Sequence, residues 1–269
     1  MSFIYPLSLS TQSSNTSTDK LPTKIDLRYK MSPVNDQLQL GSCSAHAIAA
    51  AVECDISGFV GSRLFLYYNE KYIENEVSKD TGALLSDGIT ALVRYGICEE
   101  KYYPYSVENF KYQPSKEAYE NGLLRRAVTV KKLQNDMNIF KNCLVSGYPF
   151  VISIYIFTSF ETKEVAKSGI ISMPKAGEEN LGGHAILICG YDDALQCWIG
   201  KNSWGDKWGD KGYFYLPYVY LLDSSLSSEG WSITLTGNSA QSSIQDVVPY
   251  HKLQLPPNVR IRYIIRHLS

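Results

Sequence analysis

No run in this 269-residue sequence approaches the ~18 consecutive apolar residues of a membrane-spanning helix. The first ten residues carry no basic cluster, and Pro6 interrupts their short apolar stretch, so no secretory leader is expected. Without a leader, the glycosylation sequon Asn15-Thr16-Ser17 carries little weight. Charge of either sign is not in excess: 26 Lys and Arg stand against 27 Asp and Glu, a net charge of −1. That removes any global electrostatic argument for nucleic acid or an anionic membrane as partner. The six cysteines (Cys43, Cys54, Cys98, Cys143, Cys189 and Cys197) form no C-x-x-C pair, so a zinc site is not expected, and no cofactor is among the expectations. Internal repeats are missing as well.

What is present is ordinary globular material, 44% hydrophobic and 20% charged, with length enough for a large core or two lobes. Residues 1–20 turn Ser/Thr-rich after Leu9, the composition of a flexible lead, and order is expected from Leu21-Pro22. At Gly41-Ser42-Cys43 a lone cysteine opens the Ala-rich run Ser44 to Val52, too rich in helix formers for a loop and too apolar for a solvated helix. A buried helix from Cys43 to about Cys54 follows. It puts Cys43 in the first turn, where unpaired backbone N–H groups favour the thiolate, the reactive form. A buried structural cysteine is the plain alternative. Helical spacing continues over Arg63 to Glu76, and Ser86-Asp87 opens a third helix ending at Gly96.

The second half changes character. Val128 and Val130 open a short strand, Leu133 to Val145 reads as a helix closed by Gly147, and Pro149 to Ile156 is a β-branched and aromatic run. Further strands are expected at Gly169–Ser172, His184–Gly190, Cys197–Lys201 and Gly212–Leu216. A helical first lobe followed by a β-rich second lobe is an α+β plan with a natural cleft between the two. Beyond about residue 240 lies a tail in which Val259 to Arg266 alternates like a basic edge strand, a solvated edge or packing arm rather than a binding site.

The chemistry lies in a spacing. His184 follows Cys43 by 141 positions and Asn202 follows it by 159, close to the separation of nucleophile, His and Asn in papain-type signatures. Leu21 to Arg28, Pro33 to Gln37, Gly183 to Tyr191 and above all Lys201-Asn-Ser-Trp-Gly-Asp-Lys-Trp-Gly-Asp-Lys-Gly-Tyr213 resemble the papain-like, cathepsin-type cysteine peptidases over most of residues 21–240. The resemblance implies a two-lobe fold with a helical left lobe and a β-barrel-like right lobe. It implies a peptide or protein substrate hydrolysed through a thioester acyl-enzyme. Cys43 would be the nucleophile, His184 the base, Asn202 the residue that fixes the imidazole, Trp204 its shield at the cleft, and Gln37 with the Cys43 N–H the oxyanion hole. His46, three residues after Cys43 on the same face, is a rival base in principle. A satisfied, semi-buried His46 is the expectation, since the family usually has an aromatic there. His251 and His267 read as solvated tail residues.

The departures from the family pattern are informative too. Leu40 and Asp80 stand where the resemblance implies two bridged cysteines, so both halves of that bridge are gone together. With Cys43 free, five cysteines remain and cannot all pair, so a reduced protein is expected, intracellular or virion-associated and of microbial or viral type. Ser44 replaces the aromatic after the nucleophile. Gly82-Ala83 stands for a Gly-Gly pair and offers backbone hydrogen bonds to an extended substrate. Ala83, Ser153, Gly183 and Ala185 are small neighbours implied for the side-chain pocket, which suggests a medium or large apolar substrate residue. The long inhibitory prodomain common in the family has no counterpart in residues 1–20. Either control is exerted by other means, or the apolar Phe3–Leu7 cluster lies across the cleft as an autoinhibitory plug. Rival readings are an inactive peptide-binding relative and another acyl transfer, such as deamidation, on the same site.

Overall fold

A computed structural model describes residues 21–126, 128–228 and 230–235. The proposed plug at 1–20, the sequon, the 241–269 tail with its alternating segment, His251 and His267 all lie outside the described residues. The helical half contains β1 (Lys24–Asp26), α1 (Cys43–Asp55), α2 (Arg63–Ile73), α3 (Leu85–Tyr95) and α4 (Lys116–Leu123). The second half contains β2 (Val128–Leu133), α5 (Met137–Val145), β3 (Phe150–Phe157), α6 (Lys163–Ser168) and β4 (Asn180–Asp192). It closes with β5 (Cys197–Lys201), β6 (Tyr213–Pro217), α7 (Tyr218–Leu222) and β7 (Gly230–Leu235).

Helix α1 is buried on every side from Cys43 to Glu53, which explains an alanine-rich sequence with no polar face: small side chains let the neighbouring elements approach it from all directions. Burying Ile48 and Val52 completely contributes about 1.5–3 kcal/mol each. Ser62 caps α2 by accepting the Phe65 N–H at 3.0 Å. Helix α3 stops at Gly96 with φ +69°, where a Cβ would stand 1.9 Å from the Gly122 carbonyl oxygen.

The strands form one antiparallel sheet in the order β2-β7-β3-β4-β5-β6, with β1 paired to the far end of β4. Strand β4 is the spine. Its first part pairs with β3, setting Ser153 opposite Ala185 and Ile154 opposite His184, and its end pairs with β5 and β1. Alternation along β3 and β4 then serves two cores. Phe150, Ile152, Ile186 and Ile188 face the aromatic core of the β half. Val151, Ala185 and Leu187 face α1 and complete the core of the helical half. The sheet is thus the wall between the lobes.

The α+β plan holds, and four local readings are corrected. The sheet is not closed into a barrel: β2 and β6 end the hydrogen-bonded path among the described residues. Leu133 ends strand β2, and α5 begins only after Asp136, whose carboxylate caps the Asn138 and Ile139 N–H groups. Gly169–Ser172 is not a strand, because Gly169 ends α6 in the left-handed conformation and a single bridge, Ile170 to Tyr215, follows. Helices α4, α6 and α7 have no counterpart in the sequence reading. No helix among the described residues is long and apolar enough to cross a membrane, and all six cysteines are free thiols.

Candidate active site

The two lobes contribute different parts. Cys43 is the first residue of α1, after Ser42. Its Sγ lies 3.4 Å from the backbone N–H of Ala185, the residue after His184 on β4. The thiol is therefore held against the backbone of the His184 strand, across the lobe boundary. Burial pushes the Cys43 thiol up to about 12, against the lowering effect of the Ala185 and Ser44 N–H groups. Helix-tip placement alone therefore does not offset the cost of burying the thiolate.

His184 Nε2 and Asn202 Oδ1 are 2.8 Å apart. The same Oδ1 accepts the Ser203 backbone N–H at 2.9 Å, so the oxygen, not the amide nitrogen, faces the ring. Nε2 must then donate, which places the basic lone pair of the neutral ring on Nδ1. Trp204 stacks on the imidazole with centroids 4.9 Å apart, and Phe160 and Trp208 back it at 5.6 and 5.1 Å. This apolar roof keeps water off the His184–Asn202 bond, which is stronger for being dry.

Gln37 is strapped to the same loop. Its N–H donates to the Ser203 carbonyl at 2.8 Å, and Asp36 forms a bridge with Trp204. Its side-chain oxygen accepts from Ser203 Oγ at 2.6 Å, and Nε2 donates to the Leu40 carbonyl at 2.9 Å. The Leu40 bond uses one of the two Nε2 protons. Ser203 was not picked out from the sequence, although it sits inside the motif that carries Asn202.

The expected pocket residues come together in part. Ser153 and Ala185 are cross-strand partners, as are Tyr155 and Gly183, and all four lie on the β3–β4 ladder. Ala83 is buried in the core of the helical half. The Gly82 carbonyl accepts from Lys71 Nζ at 2.8 Å, so the Gly82-Ala83 backbone, irregular and with Gly82 at φ +72°, is anchored by an ammonium group. Asp80 takes on a role that its sequence position did not suggest. Its Oδ1 accepts the Gly41 N–H at 2.9 Å and the Tyr67 hydroxyl at 2.5 Å. Gly41 also lies so close to Gly82 that a Cβ there would meet its nitrogen at 3.0 Å. Where the family resemblance implies a bridge, a carboxylate ties the same two loops. His46 is fully buried rather than semi-buried, and only one ring nitrogen is satisfied: Nδ1 lies 2.9 Å from the Ser42 carbonyl, while Nε2 has no partner in the protein.

The model of the papain family of cysteine proteases matches residues 21–220. The chain belongs to that family, a family of hydrolases. An uncharacterised peptidase C1-like protein of Acanthamoeba polyphaga mimivirus is 39% identical over 212 residues, covering 74% of this chain and 68% of the relative. Cysteine proteinase 2 of Entamoeba histolytica is 27% identical over 205 residues, 71% of this chain and 62% of its own length. Among solved structures, xylellain, a cysteine protease from Xylella fastidiosa, superposes with a TM-score of 0.76 at 33% identity, covering 81% of this chain and 88% of that one. The papain-like fold and the viral and microbial affinities expected from the sequence both hold.

Proposed function

We propose that this papain-family chain is a cysteine endopeptidase working through a Cys43–His184–Asn202 row and a Gln37 oxyanion hole. The observation that carries the reading is the 2.8 Å bond from His184 Nε2 to Asn202 Oδ1, made next to the backbone N–H that holds the Cys43 sulfur. His184 Nδ1 takes the thiol proton and Cys43 attacks the scissile carbonyl carbon. The resulting oxyanion is held by the Cys43 N–H and the remaining Nε2 proton of Gln37, a contribution of about 3–4 kcal/mol per donor. His184 returns its proton to the leaving amine, and a thioester remains on Cys43. A water that gives its proton to His184 then attacks the thioester. The new oxyanion collapses, the carboxylic acid leaves, and the proton goes back to sulfur. Asn202 holds the ring in the required tautomer throughout.

The substrate is an extended polypeptide laid against Ala83 and the β3–β4 ladder, with a medium or large apolar residue beside Ser153, Gly183 and Ala185. The catalytic unit starts at about residue 21, and residues 1–20 are the candidate for a short regulatory segment. An epoxide-type thiol inhibitor should label the wild type and leave Cys43→Ala unlabelled. Incubation with a peptide library should yield internal cleavage products by mass. Products shifted only by deamidation or peptide transfer, or an unlabelled Cys43, would overturn the reading.

A further inference from the structure

Behind the site, between α1 and the sheet, is a small cavity with about 10 Å³ open to the centre of a water molecule, room for about one. Its lining includes Ala47 and Leu187 on the apolar side and His46, Lys201 and Asn202 on the polar side. His46 Nε2 and Asn202 Nδ2 are fully buried and have no hydrogen-bond partner in the protein. The two residues are only 5% and 4% exposed. Leaving a buried polar atom unpaired costs ~1–3 kcal/mol, so two such atoms on residues that line one space point to a ligand.

The chemistry of the two atoms is complementary. Asn202 Nδ2 is the amide nitrogen, because Oδ1 is fixed by the Ser203 N–H, and it can only donate. His46 Nδ1 lies against the Ser42 carbonyl and carries the ring proton, so Nε2 presents a lone pair and accepts. Burial, with the positive charges of Arg63 and Lys201 and the nearby His184, pushes His46 down to about 3, so the ring stays neutral and Nε2 stays an acceptor. The two lining residues therefore offer one unpaired donor and one unpaired acceptor beside a space the size of one water. Lys201 lines it as well, and Nζ donates to the Ser32 carbonyl and hydroxyl, two of its three protons.

We propose that this cavity is the binding site of one ordered water that accepts from Asn202 Nδ2 and donates to His46 Nε2, and that His46 is thereby a positioning residue for the Asn202 amide. The inference rests on the Cys-His-Asn reading of the site. It also explains the setting of His46. The ring packs edge-on against Tyr105 at 5.0 Å, and the Tyr105 hydroxyl donates to the Gln37 carbonyl at 2.8 Å and lies 2.7 Å from Ser42 Oγ. The first turn of α1 thus holds the Asn202 side through His46 and the Gln37 side through Tyr105.

The test compares wild type, His46→Phe and His46→Gln on a fluorogenic peptide, with kcat, KM and the pH profile read separately. The phenylalanine keeps the ring and removes the acceptor; the glutamine restores an acceptor oxygen. His46→Phe is expected to lower kcat about tenfold through a misplaced Asn202. KM should stay within about twofold. The alkaline limb of the pH profile should move to lower pH, because a loose Asn202 holds the His184 imidazolium less well. His46→Gln should recover most of the loss. A His46→Phe enzyme with wild-type kcat and pH profile, or a glutamine variant as impaired as the phenylalanine one while both melt normally, would overturn the proposal. If the variants fail to fold, a high-resolution structure of the wild type decides: density within hydrogen-bond distance of both atoms supports the site, and a dry cavity overturns it. An inactive wild type with an unlabelled Cys43 would instead sink the function reading, while the density measurement still judges the water.

Discussion

The helical half and the β half reach full burial by opposite means. Around α1 and α2 the interior holds Glu53, Arg63, Glu70, Lys71 and Asp87. Arg63 joins Glu53 and Glu100 at 3.5 and 3.0 Å. Lys71 Nζ donates to Glu74, Thr81 and Gly82 at 2.6, 2.8 and 2.8 Å. The β half is filled by rings instead: Phe140 stacks on Phe150 at 4.6 Å, with Trp198 edge-on to both and tilted against Tyr218 at 4.8 Å. Apolar packing is forgiving of direction, whereas buried ions demand partners in fixed places. The charged half is also the one in which the segments 40–43 and 80–83 are tied together beside Cys43. Directional bonds position those segments, and the aromatic half gives β4 a rigid seat for His184.

The largest effect that would break this division is chemical. Cys43→Ala and His184→Ala, one from each lobe, should each cost roughly 10⁴ or more in kcat/KM. The double variant should be no worse than either, since a nucleophile and its base act as a unit. Peptide hydrolysis under single-turnover conditions checks this; additive losses would separate the lobes functionally. Next come the two interiors. Phe140→Ala should cost about 3–5 kcal/mol through a cavity beside Phe150 and Trp198. Lys71→Met should cost about as much, by stranding Glu74 and the Gly82 carbonyl. The losses should add in urea unfolding, because the sites share no partners. Only Lys71→Met should also raise KM, by loosening Gly82-Ala83. Equal KM in both variants would remove the positioning role of the buried lysine.

A smaller effect is expected at Asp80. Asp80→Ala deletes the acceptor for Gly41 and Tyr67 and should cost about 1–3 kcal/mol, with a rise in KM. Asp80→Asn, which keeps an acceptor oxygen, should lose less of both. Urea melts alongside kinetics separate the two variants.

This contrast was legible in the sequence on one side only. The Ala-rich α1, the apolar β3 and the Cys197–Lys201 strand follow from composition and period, because each is buried on both faces and has nothing to alternate with. Cys43, His184, Asn202 and Gln37 stand out as candidates because of the local motifs around them, and the fold links His184 to Asn202, Gln37 to Ser203 and Cys43 to Ala185. The short elements were not. Helix α4 is announced only by Ser115, whose Oγ accepts the Ala118 N–H, and α6 only by Thr162 and Gly169 at its ends. With eight and six residues, neither has room for a clear 3.6-residue period. Least visible were the bonds across long sequence separations, Asp80 to Gly41 and Ser203 to Gln37. Asp80 reads as turn chemistry and Ser203 as an ordinary polar residue until the fold supplies a partner.

The finest test of the contrast is pH, because among the described residues the carboxyl groups that resist ionisation lie in the helical half. Glu70 is fully buried beneath α1 and accepts the Ser44 hydroxyl at 2.6 Å. Burial, with Glu74 and Asp87 nearby, pushes it up to about 8. Asp87 is raised in the same way, to about 6. A folded value above the unfolded one means that the native state keeps a proton the unfolded chain has released. The stability this confers is complete below the ordinary carboxyl range and is lost as pH rises through the folded value. Between pH 6 and 8 the loss belongs mainly to Glu70, since Asp87 has already titrated. Glu70→Gln keeps the shape and an acceptor for Ser44 but never ionises. Its melting temperature should therefore fall less than that of wild type from pH 6 to 8, with a gain at pH 8 of about 2–4 °C for each kcal/mol recovered. Phe140→Ala, with its lesion in the other half, should melt lower at every pH but keep the wild-type slope. Parallel curves for Glu70→Gln and wild type would mean that Glu70 is ionised in the folded protein, and that the charged half is as indifferent to pH as the aromatic one.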